Sequence, residues 1–368
     1  MPNDSSTYRQ RRERAAGECA AAGVAALLVT PGSDLVYLSG YRMHASERLT
    51  CLVLDADGGA TLVLPALEEP RARAAAPDLE LVTWEETEDP CRRATERVRT
   101  RGAIGLADQM WAAFALRLQP LLPGRDFRPA SSVLRRLRMR KDESEIASLR
   151  AVGEQADRAF ARIRERPFAR RAERDIGAEL ADALREAGHE AVAFTIVASG
   201  PNGASPHHET GARAIAGAEP VVLDFGGTFE GYCSDITRTV HVGATVDPEV
   251  RRVHDIVRRA QEAGYAAARA GVPAESVDAA SRKVIDDAGY GRAFVHRTGH
   301  GIGLDGHEHP YLVSGNREPL EEGMAFSIEP GIYLPGRFGV RIEDIAYIAP
   351  DGRAEPLNRA DHALAIVG

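Results

Sequence analysis

The feature that most constrains this chain is an apolar stretch that carries two acids. It reads VVLDFGGTFEGYCSDITRTV, residues 221–240, and its β-branched and aromatic residues predict two short strands joined by a compact turn region at Gly226 and Gly227. Asp224 and Asp235 then lie on neighbouring strands. An ionised carboxylate in such apolar surroundings is unfavourable unless a cation pairs with it, and no lysine lies nearby. The sequence leaves two partners open, a metal ion or Arg238 in a buried ion pair.

Length and composition exclude several classes of protein. The chain has 368 residues, enough for two domains at about 150 residues each, and 44% of them are hydrophobic. The net charge is −8 and basic residues form no blocks, which argues against nucleic-acid binding. No apolar run reaches the roughly 18 residues of a membrane helix.

The cysteines indicate a reducing compartment. They stand singly, without CxxC spacing, at Cys19, Cys51, Cys91 and Cys233. Scattered cysteines of this kind predict neither a disulfide framework nor a zinc knuckle. We therefore expect a cytoplasmic protein.

The first part of the chain has the pattern of an α/β domain. A helix is predicted over Tyr8–Gly23 and a buried strand over Ala25–Thr30, and Asp57-Gly58-Gly59 predicts a hairpin between strands 51–55 and 61–65. Further elements are predicted at 94–101, 103–107 and 110–122. This part has no phosphate-binding loop and no cluster of His, Cys and acids, so its expected role is structural or gating.

A second domain is predicted to begin near residue 141. The arginine-rich segment Leu134–Lys141 bridges the two parts, and Asp142 has the position of an N-cap for a helix over Glu143–Ile163. The expected domains are thus 1–140 and 141–368. The second is predicted to be α+β with mostly antiparallel strands, and its other expected elements are helices at 174–187, 248–270 and 274–288 and a strand at 193–198.

Two segments are rich in histidine. His207 lies in the loop sequence SPHHE, which by itself is typical of a solvated surface. Four histidines fall between His296 and His309, and glycines flank His300 in the sequence GHGIG. Such glycines permit unusual backbone angles and close approach, which favours a site over a surface loop.

Two further acids interrupt apolar, strand-like runs. Glu329 lies in EPGIY and Glu343 in RIED, where alternation of strand side chains puts Arg341 and Glu343 on one face. An edge-strand ion pair would explain the second run alone. The acids and the glycine-flanked histidine together form a set of four carboxylates and one imidazole: Asp224, Asp235, His300, Glu329 and Glu343.

Such a donor set suits hard or borderline divalent ions, with Mn²⁺ favoured and Co²⁺, Fe²⁺ or Zn²⁺ as alternatives. Four carboxylates exceed the need of one ion, so two ions about 3.5 Å apart are expected. A pair of ions would lower the pKa of a bridging water, giving hydroxide near neutral pH, and would polarise the carbonyl that it attacks. The chemistry expected is hydrolysis.

These motifs, in this order, resemble those of the pita-bread metallopeptidases, the family of methionine aminopeptidase, aminopeptidase P and prolidase. The resemblance covers the second domain, and the first resembles the creatinase-type N-terminal domain of the proline-specific branch. It implies an α+β fold in which a smaller α/β creatinase-like domain precedes a pita-bread catalytic domain. It also implies a metallopeptidase that hydrolyses Xaa-Pro bonds at the N-terminus of di- or oligopeptides.

The resemblance implies roles for particular residues. Asp224 would bind one ion, His300 and Glu329 the other, and Asp235 and Glu343 would bridge them. His207 and His307 would bind substrate and stabilise the oxyanion, with His296 as the wall on the proline side. Glu329 would also shuttle a proton, and Arg341 would orient an inner carboxylate or the substrate. Tyr333 matches a tyrosine near the metals, without an assigned role.

Several alternatives stay open at this stage. The enzyme could be a prolidase acting on dipeptides or an aminopeptidase acting on longer peptides. A creatinase-like relative that hydrolyses a small non-peptide amide would share the layout, and some relatives that have lost ligands are binding modules without activity. Relatives also suggest a homodimer, with a proline-containing peptide as substrate and neither nucleic acid nor membrane as partner.

Overall fold

The computed structural model describes residues 5–368, in two compact units. The first ends at Arg138 and the second runs from Met139 to Gly368. The first four residues of the expected N-terminal domain lie outside the described residues. Within residues 5–368, no helix has both the length and the apolar character needed to cross a bilayer.

The first unit is a mixed sheet with helices. Its six strands have the order β4-β3-β2-β1-β5-β6, in which β2 is antiparallel to β1 and β3 while the other pairs are parallel. The elements are α1 (Ser5–Ala21), β1 (Val24–Val29), α2 (Ser33–Ser39), β2 (Cys51–Asp55), β3 (Ala60–Pro65), α3 (Glu69–Ala75), β4 (Glu80–Trp84), α4 (Pro90–Thr95), β5 (Ala103–Leu106), α5 (Ala112–Leu118), β6 (Phe127–Pro129) and α6 (Ser131–Met139).

The first helix, the first strand and the hairpin are confirmed, and two other predictions for this unit are corrected. The helix expected at 94–101 instead spans Pro90–Thr95, because Asp89 accepts a hydrogen bond from the Cys91 amide and Pro90 occupies the first turn. The expected bridge lies mostly in α6, since Ser131–Met139 is helical. All four cysteines are free.

The second unit contains two sheets and a hairpin. Its elements are α7 (Glu143–Ile163), α8 (Glu173–Ala187), β7 (Ala191–Ser199), β8 (Pro220–Phe229), β9 (Tyr232–Cys233), β10 (Ile236–Val242), α9 (Pro248–Ala267), α10 (Ala274–Asp287), β11 (Gly299–Gly301), β12 (Glu308–Leu312), β13 (Ala325–Ile328), β14 (Gly331–Leu334), β15 (Phe338–Arg341), β16 (Asp344–Ile348), β17 (Ala354–Pro356) and β18 (Ala365–Val367). Asp142 caps α7 in a capping box with Glu145, as predicted for the N-cap.

Most strand pairs in this unit are antiparallel, as expected. One sheet has the order β18-β10-β8-β7 with β9 on β8, and the other has the order β12-β11-β13-β16-β17. Among the described strand pairs of this second unit, only β10 with β18 is parallel. β14 and β15 form a separate hairpin.

Alternation along β8 separates core from site. Val221, Leu223 and Phe225 belong to a buried apolar cluster with side chains of α7 and α8. Because successive strand residues face opposite sides, Asp224 is directed away from these helices. The apolar core therefore fixes the direction in which the first acid of the site points.

The turn predicted at Gly226 and Gly227 is wrong. Both glycines lie inside β8, and the chain reverses at Glu230 and Gly231, which have φ of 51° and 84°. A Cβ on Gly226 would lie 2.1 Å from the carbonyl oxygen of Ser234. Close packing of a neighbouring backbone, rather than a turn, requires glycine there.

Candidate metal centre

The second unit brings together all five residues predicted as metal ligands. They come from strands and strand ends of both sheets: Asp224 on β8, Asp235 before β10, His300 on β11, Glu329 after β13 and Glu343 before β16. Three overlapping groups have donor atoms within 4.8 Å of one another: Asp224 with Asp235 and Glu343, His300 with Glu329 and Glu343, and Asp235 with His300 and His307.

Strand register explains why the two aspartates meet. Thr237 on β10 lies directly opposite Asp224 on β8. Asp235 precedes Thr237 by two residues and therefore faces the same side. Glu343 joins them because its backbone amide donates to the carbonyl of Thr237 over 3.1 Å, which links the two sheets at the site.

The spacing around His300 fits a shared ion. Its Nε2 lies 3.5 Å from Glu329 Oε1, 3.8 Å from Asp235 Oδ2 and 4.0 Å from Glu343 Oε1. Donor atoms that share an ion at roughly 2.1 Å are separated by about 3.0–4.2 Å. The contacts to Asp235 and Glu343 are too long for direct hydrogen bonds, so they leave room for an ion.

Three of the carboxylates in the site each have one oxygen that accepts no hydrogen bond. Among the buried side chains of residues 5–368, Asp224 Oδ1, Asp235 Oδ1 and Glu343 Oε1 accept no hydrogen bond. Glu343 Oε2 accepts one from Thr237 Oγ1 over 2.7 Å. Buried oxygens without donors are unfavourable, and three in one cluster fit a cation that would coordinate them.

The electrostatics agree with this interpretation. Burial, followed by repulsion from neighbouring carboxylates, raises the pKa of Asp235 and of Glu343 well above the usual values. Burial likewise raises the pKa of Glu329 to about 7, against the opposing effect of Arg341. Without a cation, the cluster therefore retains protons that ordinary carboxyl groups release.

His300 is oriented as a ligand. Burial lowers its pKa to about 3, so the imidazole is neutral. Its Nδ1 lies 3.0 Å from the carbonyl of Gly301, which places the proton on Nδ1 and leaves the lone pair of Nε2 facing the carboxylates.

The glycines that flank His300 allow close approach but do not have unusual angles. Neither Gly299 nor Gly301 has a positive φ. A Cβ on Gly299 would lie 1.9 Å from the carbonyl oxygen of Ser327, and one on Gly301 would lie 2.1 Å from that of His309. Of the two effects expected of these glycines, only the close approach occurs.

A buried chain of polar groups runs from Asp224 to His296. Arg341 donates to Asp224 Oδ2, to Thr237 Oγ1 over 3.0 Å and to the Tyr333 hydroxyl over 2.9 Å. Tyr333 in turn lies 2.8 Å from His296 Nε2, whose Nδ1 lies 2.7 Å from the carbonyl of Arg297. Both ring nitrogens of His296 are thus occupied, so it can offer substrate only its ring.

Two members of this hydrogen-bonded series, His296 and Tyr333, have shifted pKa values. Burial lowers the pKa of His296 to about 4, and the charge of Arg341 adds to this effect. Burial raises the pKa of Tyr333 to about 12. At neutral pH, His296 is therefore neutral and Tyr333 keeps its proton, which it can donate to His296 Nε2.

Arg238 is not the partner of the two aspartates. Its Nη2 donates to Asp344 over 2.6 Å and its Nη1 to the carbonyl of Glu343 over 2.7 Å. The alternative in which Arg238 neutralises Asp224 or Asp235 is wrong, because Arg238 projects toward Asp344. Among the described residues, Arg341 is the only arginine within ion-pair distance of a carboxylate group of the cluster.

The remaining predicted histidines lie at the surface of the site. The ring of His307 is 3.8 Å from that of His300, centroid to centroid, and its Nδ1 lies 3.3 Å from Nη2 of Arg297. His207 is exposed. Burial and the charge of Arg297 lower the pKa of His307, and His207 is near enough for its charge to contribute.

Sequence reasoning missed two residues that organise the site. Thr237 contacts both Glu343 and Arg341, and its position two residues after Asp235 was an available signal of a shared face. Glu173 accepts hydrogen bonds from the segment that carries His207, at a sequence separation of 26 to 38 residues. No local pattern marks a contact of that kind.

This donor set, held between two largely antiparallel sheets, defines a class of protein, the metal-dependent hydrolases. The chain belongs to metallopeptidase family M24, which matches residues 147–350, and its residues 11–140 match the Creatinase/Prolidase N-terminal domain. The expected family, the α+β pita-bread fold and the identity as a metallopeptidase are confirmed.

Relatives are similar to this chain over 90% or more of its length. The chain is 46% identical to a protein named probable dipeptidase PepE from Mycobacterium tuberculosis, over 99% of this chain and 98% of the relative. It is 37% identical to the Xaa-Pro dipeptidase of Lactobacillus delbrueckii subsp. lactis, over 90% and 92%. The crystal structure of dipeptidase PepE from Mycobacterium ulcerans has a TM-score of 0.93 and 43% identity, with all of both chains covered.

Proposed function

We propose that this enzyme hydrolyses Xaa-Pro bonds at the N-terminus of di- or oligopeptides, with two divalent ions held by Asp224, Asp235, His300, Glu329 and Glu343. One observation carries the proposal. Four carboxylates form a cluster, three of their oxygens accept no hydrogen bond, and the lone pair of His300 Nε2 faces them. Relatives named dipeptidase and Xaa-Pro dipeptidase support the substrate class.

The two groups that share Glu343 support a division of the ligands between ions. Asp224 belongs to one group, while His300 and Glu329 belong to the other. Asp235 lies in a group with Asp224 and also within 3.8 Å of His300, which supports a bridging role for it beside Glu343. Carboxylate-rich ligands favour Mn²⁺, with Co²⁺, Fe²⁺ or Zn²⁺ as alternatives.

When bound, two divalent ions supply Lewis-acid chemistry, since they lower the pKa of water and polarise a carbonyl. The chain's own groups do the rest. Glu329 Oε1 moves a proton to the leaving nitrogen of proline, which has no proton of its own in an Xaa-Pro bond. His207 and His307 donate hydrogen bonds to the substrate oxygen that becomes negative.

The two remaining residues shape the site. The ring of His296, packed edge-on against Phe294 at 5.2 Å, forms an apolar wall for the proline ring. Arg341 orients Asp224 through a charge-assisted hydrogen bond. A tertiary amide lacks the N–H that most peptidases bind, so shape must provide this part of recognition.

We further propose a cytoplasmic homodimer for this enzyme. Four free cysteines fit a reducing compartment. Analytical ultracentrifugation tests the assembly.

The test measures release of the N-terminal residue from an Xaa-Pro dipeptide and from the same sequence extended by two residues, with and without Mn²⁺. Peptides in which alanine replaces proline serve as controls. Cleavage of the dipeptide alone identifies a prolidase, and preference for the longer peptide identifies an aminopeptidase. If metal binds and neither Xaa-Pro peptide is cleaved, the proposal fails and hydrolysis of a non-peptide amide takes its place.

A further inference from the structure

Glu173 is a fully buried carboxylate outside the metal cluster. It lies in the first position of α8, and its side chain has no exposed surface. Among the described residues, the only group within ion-pair distance is His208, whose Nε2 lies 2.9 Å from Glu173 Oε2. A buried acid with no arginine or lysine partner is rare, and it needs several donors to be stable.

Those donors all come from one segment of the chain, residues 199–211. Glu173 Oε1 accepts from the Ser199 amide over 2.8 Å, from the Ser199 hydroxyl over 2.6 Å and from Asn202 Nδ2 over 2.9 Å. Oε2 accepts from His208, from Asn202 Nδ2 over 3.1 Å and, over 3.5 Å, from the Gly211 amide. Burial raises the pKa of Glu173, but these hydrogen bonds outweigh burial and lower it overall. The carboxylate is therefore ionised at neutral pH.

The segment has little regular structure of its own. It contains a single 3-10 turn, Gly200–Ala204, and no strand between residues 205 and 219. Its other side-chain anchor is Thr210, which accepts from the Val197 amide over 2.8 Å. Residues 200–204 also pack against the backbone of Gly339 in β15. The path of residues 205–209 therefore depends on what holds Asn202 and His208, and Glu173 holds both.

His207 lies inside this clamped stretch. It is exposed, and its side chain has no hydrogen-bond partner among the described residues. Its position is consequently set by the backbone, one residue from the anchored His208. A flexible segment would have to be ordered whenever substrate binds, and anchoring it in advance removes that entropic penalty.

We propose that Glu173 is a positioning residue for catalysis, which fixes residues 199–211 through Ser199, Asn202 and His208 so that His207 is held ready at the metal centre. This inference rests on the substrate role proposed above for His207. It adds a residue that touches neither metal nor substrate and acts through the loop.

The substitution Glu173→Gln tests this role with almost no change of shape. Three hydrogen bonds converge on Oε1 and three on Oε2, so either orientation of the amide places its NH₂ against donors. The loop should loosen, and kcat/KM should fall by about 10–100-fold, as for other residues that orient catalytic groups. Glu179→Gln is the matched control, because Glu179 lies on the same helix but pairs with Arg166 and Arg171.

A double-mutant cycle with His207→Ala separates positioning from general structural damage. If Glu173 acts through His207, Glu173→Gln should lower kcat/KM by less than about twofold in the His207→Ala background. Equal losses in both backgrounds would overturn the inference, as would full activity of Glu173→Gln. If His207→Ala alone were fully active, the proposed role of His207 would fail, and this inference with it.

Hydrogen–deuterium exchange provides a readout independent of activity. Residues 199–211 should exchange faster in Glu173→Gln than in the wild type or in Glu179→Gln, while bound metal stays unchanged. Asn202→Ala serves as a second variant should Glu173→Gln not fold, since it removes one anchor from a partly exposed position. Unchanged exchange in a folded variant would contradict the clamp.

Discussion

Glu343 and Asp344 are adjacent, both nearly fully buried, and their carboxylates have opposite surroundings. Glu343 faces three other acids, and its Oε1 has no donor among the described residues. Asp344 accepts from Arg238 on Oδ1, and from Gln261 over 3.0 Å and His362 on Oδ2. One carboxylate is fully satisfied within the chain, and its neighbour is not.

The contrast shows that the fold gives two adjacent buried acids different partners. At Asp344 the chain supplies its own cation, Arg238, with only 2% of its side chain exposed. At Glu343 it supplies Thr237 and leaves the other oxygen open. Arg238 also donates to the carbonyl of Glu343, so the cation that pairs with Asp344 also holds the backbone of Glu343. We infer that Asp344 stabilises the fold and Glu343 serves the metal.

The largest expected effect is the loss of activity when a carboxylate of the metal cluster is removed. Glu343→Ala or Asp235→Ala should abolish metal binding and peptidase activity together, with a loss in kcat/KM of at least about 10³-fold, because each removes a carboxylate that is proposed to bridge the two ions. Metal content by elemental analysis and the Xaa-Pro assay measure this. Most of the activity retained with a single ion would refute the bridging assignment.

The next largest effect is expected on stability, when Asp344 loses its arginine partner. Arg238→Met should lower the free energy of unfolding by about 3–5 kcal/mol, because it leaves Asp344 buried without its cation. Urea denaturation of the metal-free protein measures this loss. Arg258→Met is the matched control, since Arg258 pairs with Glu262 on an exposed face of α9. Equal stability of the two variants would contradict the inference that the pair of Arg238 and Asp344 stabilises the fold.

The carboxyl groups of the cluster should make stability depend on pH in one direction when metal is absent. The raised pKa values of Asp235, Glu329 and Glu343 mean that the folded protein holds protons that the unfolded chain releases. The contribution of these three carboxyl groups to the stability of the metal-free protein should therefore fall as pH rises from about 4.5 to 7, by up to about 1.4 kcal/mol per pH unit for each retained proton. The buried histidines His189, His254, His296 and His300 contribute the opposite slope below about pH 6.5, because burial lowers their pKa values and only the unfolded chain binds those protons.

Bound metal should remove this fall, because it requires deprotonated ligands and binds more tightly as pH rises. Thermal unfolding between pH 5 and 7, with chelator and with excess Mn²⁺, tests the sign. Stability should rise more steeply with pH in excess Mn²⁺ than with chelator, and equal slopes under the two conditions would contradict the interpretation of the cluster.

The smallest effect concerns His362. Its side chain is 30% exposed, and it supplies one of several donors to Asp344. His362→Ala should lower the free energy of unfolding by only about 1 kcal/mol and leave metal content and activity unchanged. Loss of metal in this variant would mean that the two sides are more tightly coupled than their contacts indicate.

The sequence allowed the residues of the cluster to be predicted because they lie in short motifs whose local pattern is unusual. Asp224, Glu329 and Glu343 interrupt apolar runs, and His300 is flanked by glycines. The residues that support them could not be found in this way. Arg238 and Asp344 are separated by 106 positions, and neither is unusual among its neighbours.

The wrong turn has a similar cause. A glycine pair between apolar runs is typical of a turn, but the identity of Gly226 depends on the approach of Ser234. That approach exists only once the hairpin has formed around Glu230 and Gly231. Local sequence specifies the strands and their faces, whereas contacts between strands decide where a glycine is required.

The bridge between Thr237 and Glu343 also affects when during synthesis the enzyme can become active. Asp224 and Asp235 leave the ribosome early and can meet in a local hairpin, whereas Glu343 follows more than a hundred residues later. Until it arrives, a nascent chain lacks the carboxylate common to both groups of ligands. If the cluster holds metal as proposed, translation order would delay tight metal capture, and with it peptide hydrolysis, until both sheets of the catalytic unit have formed.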